Sequence, residues 1–143
     1  MVGSSRSTYT GTAPFLTAAG AHAILHAALA EADRIGVPEC VAVVDAGGHL
    51  LAFGRSDGAR VGSISIALTK AVSAATRKRP TGEEGGGDAL TTVRLALAAD
   101  TLTGLGGGLP IVVDGQVAGG IGVSSGTIDE DLIVARAGLT ALG

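Results

Sequence analysis

The residues whose types and spacing could do chemistry bracket the segment VAVVDAGGHLLAFGRSDG: Asp45, His49, Arg55 and Asp57. Histidine changes charge near neutral pH, so His49 can serve as a general acid or base or as a nitrogen ligand. Strand alternation predicts His49, Leu51, Phe53 and Arg55 on one face. There an imidazole, a guanidinium and a phenyl ring could hold a partly apolar anion. The competing reading is local: Asp45 stabilises a turn through nearby backbone groups, leaving His49 and an Arg–Asp pair at the surface. Lys70, inside SISIALTKAVSAA, either anchors a carboxylate or snorkels to solvent. Gly106, Gly107 and Gly108 could bring backbone amides up to an anion or a flat ligand. Thr127 opens a T-x-x-E capping box with Glu130, and a helix start also suits an anion. His22 and His26, four apart, could share a metal, but no HExxH glutamate and no third ligand accompany them. No metal is therefore expected, and no Walker loop, G-x-S-x-G elbow or Cys–His pair names a reaction.

The elements that must position these groups follow from periodicity. Helices are predicted over residues 16–35 (Thr17 as N-cap, Gly36 as stop), 61–78, 88–99 and from Thr127 onward. Strands are predicted over 39–46, 49–55, 102–105, 111–113 and 117–124, with turns at Gly47-Gly48 and Asp114-Gly115. The order is α-β-β-α-α-β-β-β-α. Ile24, Ala28, Ala21, Ala32, Leu25, Leu29 and Ile35 form a core stripe on the first helix. Alanines crowd its other side, which would let it pack on two surfaces. Val61, Ile64, Leu68, Ala71, Val72 and Ala75 should face the core from the second long helix, and Ile128, Leu132, Ala135 and Leu139 from the last. Residues 81–87 read as a loop, with Asp88 capping the next helix.

The 143 residues suit one domain, with residues 1–15 a flexible tail and 16–143 the folded unit. Hydrophobic residues make up 46% but aromatics only 2%, with 24 glycines. Such small side chains bury little area each, so further burial between subunits is expected. A net charge of −3 disfavours a nucleic-acid partner. Cys40 is the one cysteine, which rules out an internal disulfide and reads as a buried small hydrophobe. No run of about 20 apolar residues marks a membrane span, and a cytoplasmic location is expected.

Taken together, VAVVDAGGHLLAFGRSDGA, KRPT, GGGLPIVVDGQVAGGIGVSSGT, Asp131 and ARAGL resemble the GlcG/HbpS-like family, which includes the C-terminal domain of PduO-type proteins. The likeness spans residues 16–142. It implies an α+β domain: about five antiparallel strands flanked by helices, similar to profilin and PAS-like folds, and self-association to dimers or octamers. It also implies a small-ligand-binding function, with haem or another tetrapyrrole as one ligand. On that basis Asp45, His49, Arg55, Lys70, Gly107, Gly108 and Thr127 are the expected ligand-binding positions, with His49 the first nitrogen donor to consider. The segment EEGGGDALTTVRLALAAD departs from the family pattern, and few aromatics are available for a large flat macrocycle. The alternative is a cofactor-independent isomerase, cyclase or lyase acting on a small carboxylate or keto compound. There His49 would move a proton and Lys70 or Arg55 would orient the acid.

Overall fold

The computed structural model describes residues 8–82 and 89–143. The first seven residues of the expected tail, most of the 81–87 loop and the Asp88 cap lie outside them. The elements are α1 (Ala18–Ile35), β1 (Cys40–Asp45), β2 (Leu50–Arg55), α2 (Ser63–Arg77), α3 (Ala89–Ala98), β3 (Gly108–Val113), β4 (Gln116–Ser124) and α4 (Ile128–Leu139), ending in a 3₁₀ turn at Thr140–Leu142. The strands form one antiparallel sheet in the order β2-β1-β4-β3. Two hairpins thus join through β1 and β4. The second closes through Asp114 and Gly115, both at positive φ, which is the backbone a two-residue hairpin turn needs.

The sheet has four strands, not about five. Residues 102–105 form no ladder, because side chains satisfy their backbone instead. The Thr103 amide donates to Ser73 Oγ, the Ser73 hydroxyl donates to the Thr101 carbonyl, and the Leu105 amide donates to Thr103 Oγ1.

Both faces of the sheet are covered, and β1 shows how. Val41 and Val43 point into the core beneath α1 and α4, with Ile24, Ile121, Val123 and Val134. Cys40, Ala42 and Val44 point to α2, against Ala67, Ala71 and Ala75. The same alternation fails on β2. A bulge shifts its register, pairing Val43 with Ala52 and Val44 with Leu50. Leu51 therefore packs in the α1–α4 core, whereas Phe53 packs on the α2 side. The expected common face of His49, Leu51 and Phe53 does not exist, because one extra residue re-aims every side chain beyond it.

The caps on α1 are as expected: Thr17 Oγ1 accepts from the Gly20 amide, and Gly36 ends the helix at positive φ. The buried faces of α2 and α4 differ from their large-residue stripes. Val61 precedes α2 and is 71% exposed, while Ile64, Leu68 and Val72 sit half-buried at its flank. The α2 face on the sheet consists of Ala67, Lys70, Ala71, Ala74 and Ala75. In α4 the buried set is Asp131, Val134, Ala135 and Gly138, with Ile128 exposed.

Glycines on β4 explain why small residues face the sheet. A Cβ on Gly122 would lie 2.0 Å from the Ala67 carbonyl oxygen, and one on Gly120 would lie 2.4 Å from that of Ala71. Helix and strand meet backbone to backbone, a distance larger side chains would forbid. Gly122→Ala should therefore destabilise by about 3 kcal/mol, the upper end for overpacking, since only main chain can yield. Gly62→Ala is the control, as a Cβ there meets nothing within 4 Å. Urea midpoints for the two variants check this; equal midpoints would contradict the close approach.

Candidate functional site

The chemistry-bearing residues fall into three places. The first is the β1–β2 turn. Asp45 Oδ1 accepts hydrogen bonds from the amides of Gly47 and His49, each at 2.9 Å, and the Gly48 amide donates to the Asp45 carbonyl at 3.0 Å. The same carboxylate lies 3.1 Å from His49 Nδ1. Partial burial raises the Asp45 carboxyl, but the two amides and the imidazole outweigh it and hold the group below its ordinary value. The His49 side chain is 81% exposed. With Nδ1 donating to Asp45, Nε2 is left as an outward lone pair, the arrangement that carboxylate–histidine pairs present to metals. Arg55 is not beside it. Six residue steps along the strand separate the two, about 20 Å at the usual rise.

The second place is buried. Lys70 reaches from α2 past Gly107 to the start of α4, where its ammonium donates to Asp131 Oδ2 at 2.9 Å and to the Val123 carbonyl at 2.8 Å. Lys70 is 3% exposed and Asp131 2%. Asp131 Oδ1 accepts from the Gly126 amide. Thr127 builds this corner, because its capping box with Glu130 sets the first turn of α4. The triple glycine provides the passage: a Cβ on Gly107 would lie 2.9 Å from Lys70 Nζ. Its polar groups are engaged internally, the Gly107 carbonyl with the Val123 amide and the Gly108 amide with Thr81 Oγ1. Lys70, Gly107, Gly108 and Thr127 are thus brought together, but around an internal carboxylate.

Glu39 completes the buried cluster, and the sequence reasoning passed over it. It is 0% exposed, and neither carboxyl oxygen has a partner in hydrogen-bonding geometry. Burial first, then the neighbouring Asp131 carboxylate, push its carboxyl up to about 8, against the opposing pull of the Gly126 amide and Lys70. Its signal was an acid at the head of the apolar run CVAVV, in a chain whose second helix carries one lysine among small residues.

The third place is a cleft of about 500 Å³ between the end of α1 and the end of β2, which Arg55 lines together with Asp33 and Asp57. A second depression, of about 430 Å³, lies between β3 and the C-terminal turn. Neither contains a histidine. His22 and His26 are both exposed on α1, with ring centroids 6.4 Å apart and His22 Nδ1 against the Ala18 carbonyl. No group of three or more His, Cys, Asp or Glu among the described residues is placed to hold a metal ion. Cys40 is buried, and burial raises its thiol pKa. No helix among the described residues is long and apolar enough to cross a membrane.

Residues 16–140 match the family of the haem degrading protein HbpS-like type. Protein GlcG of Escherichia coli K12 is 41% identical over 105 residues, which span 73% of this chain and 77% of GlcG. The crystal structure of HbpS superposes with a TM-score of 0.84 at 31% identity, covering 98% of this chain and 99% of that one. That of a PduOC:haem complex gives 0.82 at 27% identity, covering 90% and 95%.

Proposed function

We propose, from the premise that the chain belongs to the HbpS-like family, that it is a small-ligand-binding protein and that haem is the ligand to test first. What supports the reading is the Asp45–His49 contact, which turns Nε2 outward as a ready axial donor. The PduOC relative, of the same fold, is a haem complex. The donor fits a haem iron. The walls are thinner: beside the turn stand exposed Leu50 and half-buried Val72, the latter packed on Gly48. Bound haem would supply an iron with redox and ligand-exchange chemistry; the chain would supply His49 and the carboxylate that orients it.

Self-association to a dimer or octamer belongs to the same reading. It is supported by α3, which scarcely packs on other elements and leaves Leu90, Val93 and Leu97 exposed along one stripe. The enzyme alternative needs Lys70 or Arg55 beside His49, whereas the Lys70 ammonium is buried against Asp131 and Arg55 stands at the far end of β2.

Titration with hemin, followed at the Soret band with light scattering on the same sample, tests the proposal. His49→Ala should weaken binding about ten-fold or more, the usual scale for disturbing such a ligand, and His22→Ala should not. A Soret shift unchanged in His49→Ala overturns the assignment of the donor, and no shift at all overturns haem as the ligand.

A further inference from the structure

The cleft between α1 and β2 has a chemistry of its own. Leu29 and Ala32 on α1, with Val37 and Pro38 after it, give one apolar wall, and Arg55, Ser56 and Asp57 give the other. Gly54 lets the walls meet at their base, since its missing Cβ leaves room for Leu29. The floor is fixed by a two-way clip: the Glu39 amide donates to Ser56 Oγ and the Ser56 amide donates to the Glu39 carbonyl. The backbone that carries Arg55, Ser56 and Asp57 is therefore tied to the start of β1.

Three charges line it: Asp33, Arg55 and Asp57. No side-chain hydrogen bond or ion pair joins these three groups to one another or to other described residues. Opposite charges that share one cleft without pairing leave both kinds of partner unfilled. An anion alone would meet two carboxylates, and a cation alone would meet the guanidinium. A molecule carrying both groups satisfies all three, its carboxylate on the planar fork of Arg55 and its ammonium between the aspartates. The adjoining Leu29–Val37–Pro38 wall suits a short apolar side chain.

From this we infer that the cleft is a binding site for a small zwitterionic amino acid with an aliphatic side chain. The site lies at the opposite end of β2 from His49, so it stands or falls independently of haem binding.

L-leucine is the probe, with two analogues that each lack one charge: N-acetyl-L-leucine without the ammonium and 3-methylbutylamine without the carboxylate. The readout is amide chemical-shift change at Gly36, Ser56 and Asp57 on titration. Leucine should produce saturable shifts confined to the cleft, and each analogue should bind about ten-fold or more weakly, as expected when a charge-assisted hydrogen bond is lost. Arg55→Gln should weaken leucine about ten-fold or more and bind the amine no more weakly than the unmodified protein does, since a repelling charge is removed. The double variant Asp33→Asn/Asp57→Asn should likewise weaken leucine and bind N-acetyl-leucine no more weakly than the unmodified protein does. These side chains are at the surface, so unchanged thermal melts will show that the variants fold. Absence of saturable shifts with leucine overturns the proposal. So does an analogue that binds as well as leucine, because one of the two charges would then have no role.

Discussion

Stability should fall as the pH rises from 4.5 to about 8, the interval between the ordinary glutamate value and that of buried Glu39. In this window the folded chain keeps a proton on Glu39 that the unfolded chain has released. The unfolded state then binds fewer protons, and the free energy of unfolding decreases with pH. Its contribution is complete below 4.5 and is lost as pH climbs through about 8. The slope approaches about 1.4 kcal/mol per pH unit, one proton's worth. Across the window this makes several kcal/mol, a large part of a typical domain's stability. Glu39→Gln, neutral at every pH, should flatten the profile. Asp45 runs the other way: its carboxyl is held below 3.8, so its contribution is present above that value and lost on acidification. It lies outside the Glu39 window. Urea midpoints at constant ionic strength, measured with unchanged m-values, provide the profile. The same downward slope in Glu39→Gln would show that some other group carries it.

Removing one partner of the Lys70–Asp131 pair should cost about 3–5 kcal/mol, the range for leaving a buried charge uncompensated. Lys70→Met leaves Asp131 facing Glu39 with no cation between α2 and α4. Asp131→Ala strands the ammonium and also takes the acceptor from the Gly126 amide. Because loss of the partner, rather than loss of the attraction, dominates the cost, a second substitution should restore stability. Lys70→Met/Asp131→Asn keeps an oxygen for Gly126 while removing both charges, and should recover more than half of what Lys70→Met loses. Denaturation of the four proteins at one pH measures this as a double-mutant cycle. A double variant as unstable as Lys70→Met plus Asp131→Asn combined would mean that the two residues do not act as a pair.

These two effects centre on a cluster that was only partly legible in the sequence. Lys70 stands out in the sequence because a charge inside an alanine-rich helix is anomalous, and Thr127 because a capping box is a local pattern. Asp131 stands in the first turn of a helix, where the dipole alone favours an acid, and Glu39 only opens a predicted strand. Local rules explain each acid adequately, and nothing local says that residues 39, 70 and 131 meet. The same limit shaped the turn at His49. Asp45 and the glycines could be read as a turn, but strand alternation then carried His49, Phe53 and Arg55 to one face. The bulge at Leu51 broke that face, and the length of β2 separated the imidazole from the guanidinium.

What the sequence by itself determined was whatever short-range physics decides: the N-cap at Thr17, the stop at Gly36, the Asp114-Gly115 hairpin, the box at Thr127 and, apart from the strand expected at residues 102–105, the order of helices and strands. Each depends on backbone groups a few residues away. Tertiary structure alone decided which faces those elements show one another. Glycines 120 and 122 draw α2 so near the sheet that its alanines line the contact, while Ile64 and Leu68 pack half-buried against its edge. Gly107 opens the gap through which Lys70 meets Asp131. Close approach depends on two surfaces at once, and each surface comes from a different part of the chain.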